Sequence, residues 1–138
     1  MRTAEQVFVD TGAWIALALI RDPLHERARA TWEDLQRSAA RLSTSAAVVL
    51  ETFTFLDRYA NRQVALAWKD SLHTVKPFKV LPVNARDVDR AWPYFERREL
   101  HKLSAVDAVS FVLMSERKIR LAFAFDVHFA TAGFRLVG

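Results

Sequence analysis

The sequence predicts an α/β domain over residues 1–138, with about five parallel strands in one sheet and helices on both faces. Three observations carry this. Short apolar runs alternate with helical stretches, the pattern of strands joined by helical crossovers. The runs Val7-Phe8-Val9 and Leu121-Ala122-Phe123-Ala124-Phe125 are apolar throughout, as expected of strands covered on both sides. Three glycines, four prolines and no repeat or low-complexity tract leave no place for a linker.

The elements follow in order. Val7 to Asp10 reads as a buried strand, and Thr11-Gly12 turns it into a helix through Leu19. Asp22-Pro23 ends that helix and opens the next, because proline suits a first helical turn. From Leu24 to Ala40, Leu24, Ala28, Thr31, Trp32 and Leu35 share one face, a dimer surface or plain core. Arg41 to Thr44 is a short strand, and Ser45 caps a long apolar helix to about Tyr59. A further helix runs from Asn61 to about Val75, followed by a strand from Phe78 to Val83. Asn84 caps a helix that Pro93 kinks. After the basic segment Arg97 to Lys102, Ser104 and Asp107 have the spacing of a capping box opening a helix to Arg117. Leu121 to Phe125 and Phe134 to Val137 complete the strands.

Composition narrows the function. No cysteine is present, which excludes disulfides, thiolate zinc sites and cysteine nucleophiles and is compatible with a reducing cytoplasm. No apolar stretch approaches the roughly 20 residues needed to span a bilayer. At the N-terminus, Arg2 is followed by Glu5 and Gln6, unlike a signal peptide. The net charge of +4 comes largely from 15 arginines against 5 lysines. Arginine grips phosphate with two parallel hydrogen bonds, so the surface favours an anionic polymer. Glycine-rich nucleotide loops and the nucleophile elbow are absent.

Four acids are attached to core-forming segments. Asp10 ends the first strand, Glu51 interrupts an apolar helix, Asp107 lies in Ala105-Val106-Asp107-Ala108, and Asp126 closes Ala124-Phe125. A desolvated carboxylate costs several kcal/mol, so such groups pair or bind metal. Each residue also has a plainer role open to it. Asp10 and Asp126 serve equally as helix caps, Glu51 as a surface residue, and Asp107 as the partner of Ser104 in the capping box. Taken together, two strand-end acids and two helix-borne acids can meet at one sheet edge. Four carboxylates within about 4–6 Å repel and raise one another's pKa, which a divalent cation relieves. Oxygen-only ligation suits Mg²⁺ or Mn²⁺. His25, His73 and His101 are isolated. His128 could orient substrate or water, but its simpler reading is structural. Trp14, Trp32, Trp68 and Trp92 read as core or interface residues.

These motifs resemble the ordered motifs of PIN-domain ribonucleases, particularly the small VapC-like toxins of toxin–antitoxin pairs. The matching segments are Val7 to Ala13, the helix holding Val49-Leu50-Glu51, Leu103 to Ala108, and Phe125 to Phe129 followed by Gly133-Phe134. The resemblance covers essentially the whole chain, although residues 61–103 contain no matching motif. It implies a parallel sheet of about five strands, Mg²⁺ or Mn²⁺, RNA cleavage, homodimerisation, a neutralising antitoxin and a cytoplasmic setting. The family's acids map to Asp10, Glu51, Asp107 and Asp126, and its small hydroxyl residue to Thr11. Gly12 stands where the family often has serine or another small residue.

The expected activity is therefore a metal-dependent endoribonuclease. The alternatives are a non-catalytic PIN-like binding module and a phosphorylated receiver-like domain. The latter is ranked last for want of paired acids after the first strand and of a lysine ending a late strand.

Overall fold

A computed structural model of the chain describes residues 4–138, so Arg2 of the N-terminal reading lies outside the described residues. Five strands are present: β1 (Gln6–Val9), β2 (Arg41–Ser45), β3 (Phe78–Leu81), β4 (Leu121–Phe123) and β5 (Arg135–Val137). They form one sheet in the order β3-β2-β1-β4-β5, with every pairing parallel. Seven α-helices connect them among the described residues: α1 (Thr11–Ala18), α2 (His25–Arg37), α3 (Ala46–Tyr59), α4 (Arg62–Ser71), α5 (Ala85–Ala91), α6 (Ala105–Glu116) and α7 (His128–Thr131).

The chain steps from β1 to β2 to β3, then crosses back to β4 and on to β5. Right-handed crossovers put helices before and after that reversal on opposite faces. Helix packing falls into the same two groups: α1 meets α2 and α3, and α3 meets α4, whereas α5 and α7 meet α6. Contact between α3 and α6 bridges the groups.

Each group covers an aromatic cluster. Trp14 lies 5.6 Å from Trp32 and 5.9 Å from both Trp68 and Phe78, measured between ring centroids. On the other side, Phe111 packs against Phe129 at 5.0 Å, Tyr94 at 5.2 Å and Phe134 at 5.6 Å. Leu35 is buried and Trp32 packs on the core. Trp92 is the exception, half exposed beside Phe95.

Several boundaries differ from expectation. Helix α2 begins at His25, after Leu24, so Pro23 belongs to the preceding turn. There Asp22 Oδ1 accepts the Leu24 N–H at 2.8 Å. Helix α5 stops at Ala91 and tightens into a 3₁₀ turn over Trp92–Glu96, which is how the chain accommodates Pro93. β4 ends at Phe123, two residues early, so Asp126 lies three residues beyond the strand rather than next to it.

β2 departs from the uniformly apolar pattern. Ser43, Thr44 and Ser45 are all buried. Thr44 Oγ1 donates to the Val9 carbonyl at 2.8 Å and accepts from Trp14 Nε1 at 3.2 Å. That hydroxyl supplies polar partners inside the core. Ser45 Oγ accepts the Val48 N–H at 3.0 Å and so caps α3, as its position predicts.

Candidate metal centre

The sheet order reverses between β1 and β4, and the crevice beyond the carboxyl ends of strands at such a point is where open α/β sheets bind ligands. Asp10 stands there. Its N–H donates to the Phe123 carbonyl at 3.0 Å, and its own carbonyl receives the Trp14 N–H at 3.1 Å, starting α1. The backbone is therefore that of a helix cap. The carboxylate is not, because it accepts no capping hydrogen bond. Asp10 is only 4% exposed, and its Oδ1 is buried without a partner. The neighbouring Thr11 hydroxyl is likewise buried and unpartnered. Such orphaned polar atoms are costly unless a ligand or ion satisfies them.

Asp107 resolves its two readings in a similar way. Ser104 Oγ accepts the Asp107 N–H at 3.0 Å and caps α6. The reciprocal bond from the Ser104 N–H to the Asp107 carboxylate is not made, so the expected capping box is only half formed. A complete box is found at Asn84 and Asp87, where both bonds are 3.0 Å. The Asp107 carboxylate turns instead toward Asp126 and His128, and one ligand atom from each of the three lies within 4.8 Å of the others. Oδ1 of Asp126 is held by the His128 backbone N–H at 2.9 Å.

Glu51 is half-buried in the second turn of α3. It and Asp10 lie outside the tight trio but within electrostatic reach. Burial first, then the charges of Asp10 and Asp126 and a hydrogen bond with Asp126, push the Asp107 carboxyl up to about 8, with Glu51 adding to the rise. Burial is also the main cause that raises Asp10, to about 7. Glu51 and Asp126 add repulsion there, while the N–H groups of Thr11 and Gly12 partly offset it.

The four predicted acids thus lie within electrostatic reach of one another. Among the described residues, none of them pairs with lysine or arginine; the cationic partners lie on other carboxylates such as Asp57, Glu99 and Glu116. Buried carboxylates, an orphan carboxylate oxygen and an orphan hydroxyl form a donor set that fits a hard divalent cation. His128 joins this group through Asp126, two residues before it, while its ring Nε2 is anchored on the carbonyl of His101, 27 residues away, a contact that no local spacing reveals. Arg98 and Lys102 are exposed and make no ion pair among the described residues.

The fold is that of a doubly wound parallel α/β domain with an acidic switch-point crevice, and the PIN domain family profile matches residues 7–135. The chain belongs to the PIN domain family. It is 34% identical over 128 residues to the 23S rRNA-specific endonuclease VapC20 of Mycobacterium tuberculosis, covering 93% of this chain and 95% of that protein. The crystal structure of VapC20, described as a sarcin-ricin loop cleaving toxin, superposes with a TM-score of 0.79 at 33% identity, covering 93% of this chain and 95% of that one. DNA-bound VapBC from Salmonella typhimurium matches with a TM-score of 0.66 at 13% identity, covering 96% and 97% of the two chains. FitAcB from Neisseria gonorrhoeae matches with a TM-score of 0.66 at 16% identity, covering 96% of each. These last two share the fold.

Proposed function

We propose that this protein is a metal-dependent endoribonuclease and the toxin of a toxin–antitoxin pair. Asp10, Glu51, Asp107 and Asp126 form its metal-binding and catalytic set, and Mg²⁺ or Mn²⁺ is its ion. The observation that carries this reading is the pocket of acids without cationic partners, two of them raised by burial and by each other. A divalent ion there supplies Lewis-acid stabilisation of phosphodiester charge and makes water more acidic. The chain's own contribution is placement. In this reading the end of β1 supplies Asp10, the loop after β4 supplies Asp126, and α3 and α6 supply Glu51 and Asp107.

The substrate reading rests on VapC20, whose name specifies 23S rRNA, so ribosomal RNA is the first candidate. Arg98 and Lys102, exposed and without an ion pair among the described residues, are the cations assigned to backbone phosphates in this reading. Leu50, Tyr59 and Leu66 on α3 and α4 are exposed large apolar side chains, suited to contact with an antitoxin or a second copy of the chain. Among the described residues no helix is long and apolar enough to cross a membrane. A cytoplasmic setting follows from RNA as the substrate.

The test is cleavage of ribosomal RNA by the purified protein with Mn²⁺, with EDTA, and with the Asp10→Asn variant. Cleavage is expected with Mn²⁺ alone, falling by at least about 100-fold in Asp10→Asn, the loss typical when a key electrostatic group is removed. Undiminished cleavage by that variant refutes the assignment.

A further inference from the structure

His128 is held in a way that the acids alone do not explain. Its Nε2 lies 2.5 Å from the carbonyl oxygen of His101. A carbonyl oxygen only accepts, so Nε2 carries the proton and donates. In the neutral ring, Nδ1 is then a bare lone pair. That Nδ1 is buried and has no hydrogen-bond partner, although Oδ1 of Asp126 is 2.9 Å away. The oxygen lies off the direction in which a proton on Nδ1 would point, and it accepts the His128 backbone N–H instead. Two electron-rich atoms so close repel unless a cation stands with them.

Building on the metal site proposed above, we infer that His128 Nδ1 is a nitrogen ligand of the divalent ion, completing a set with Asp107 and Asp126. The three offer ligand atoms within 4.8 Å of one another. Metal-bound histidines generally donate their other ring N–H to a carbonyl or carboxylate, which fixes the tautomer and orients the ring. The His101 carbonyl does this here. The chemical consequence is selectivity. Carboxylate and water ligands suit Mg²⁺ and Mn²⁺ alike, whereas imidazole adds affinity for first-row transition ions, so the nitrogen raises Mn²⁺ relative to Mg²⁺.

Pulsed electron paramagnetic resonance of the full-length protein loaded with Mn²⁺ reads the ligand atom directly. The wild type should show ¹⁴N coupling, replaced by ¹⁵N coupling when histidine is labelled. His128→Asn should lose it, and His101→Ala, which keeps its backbone carbonyl, should retain it. By calorimetry, His128→Asn should weaken Mn²⁺ roughly 10–100-fold while leaving Mg²⁺ within about threefold. Mn²⁺ binding without nitrogen coupling, together with its loss in Asp10→Asn, overturns the histidine ligand and leaves the acidic site standing. A wild-type protein that binds no Mn²⁺ overturns both. Should His128→Asn fail to fold, the labelled wild-type spectra decide.

Discussion

The backbone N–H of Asp10 donates to the carbonyl oxygen of Phe123 at 3.0 Å, which fastens the end of β1 to the end of β4. Asp126 follows Phe123 by three residues, so one main-chain bond joins the two strand ends that carry acids into the pocket. Repulsion between those acids is therefore resisted by the sheet and has to be relieved in place.

The metal-free protein is expected to lose stability as pH rises. Asp10 and Asp107 sit at about 7 and about 8 in the folded chain, against about 3.9 when unfolded. Between those limits the folded state binds more protons than the unfolded state, so stability falls with increasing pH. The contribution is complete below about pH 4 and is lost as pH rises through about 7–8. Thermal melts in EDTA should give a lower Tm near pH 8 than near pH 5.5; an equal or higher one contradicts the arrangement.

Asp107→Asn removes one of the repelling charges. In EDTA near pH 8 this variant should melt above the wild type. The order should reverse with Mn²⁺, because an ion at about 100 times its Kd adds about 2.7 kcal/mol to a protein that binds it only when folded. A variant that keeps the full Mn²⁺-induced rise would show that Asp107 is not a ligand.

Thr44→Val preserves shape but deletes the hydroxyl shared by Trp14 Nε1 and the Val9 carbonyl. The orphaned indole N–H should cost about 1–3 kcal/mol, read from the urea midpoint at unchanged m-value. An unchanged midpoint means the indole finds another partner.

Ser104→Ala removes the cap of α6, whose third residue is Asp107. The cost should be about 1 kcal/mol in denaturant unfolding. Mn²⁺ affinity should weaken with it, because the same hydrogen bond sets where Asp107 begins its helical turn. Weaker folding at full affinity would separate the cap from the site.

Arg98→Ala and Lys102→Ala should weaken RNA binding without changing Mn²⁺ affinity. Each should also flatten the dependence of log K on log salt by about one. Unaltered salt slopes would place the RNA path elsewhere.

Much of this was legible in the chain because burial leaves marks on sequence. Val7-Phe8-Val9 and Leu121-Ala122-Phe123 read as covered strands and are so, and Ser45 and Asn84 cap helices with their side chains as expected. The four acids were visible as charges in apolar surroundings. What stayed hidden depends on contacts between distant segments. The burial of the polar Ser43-Thr44-Ser45 is not marked in hydropathy, and the partners of Thr44, Trp14 and Val9, come from distant segments. The capping box predicted at Ser104 is half made, with the Asp107 carboxylate facing Asp126 and His128 instead of the Ser104 N–H. β4 ends early at Phe123 even though apolar character continues to Phe125, since hydropathy does not record where pairing stops.

Glu51 and Asp107 ride on α3 and α6, which belong to the two helix groups on opposite sides of the sheet. The opening between these carboxylates is therefore a dimension of the scaffold, set by how two helices straddle the sheet's edge, and no loop controls it. Lengthening the turn at Ala60 or the segment before Leu103 would redraw the outer contour of the molecule and whatever it touches. The jaws would keep their gauge.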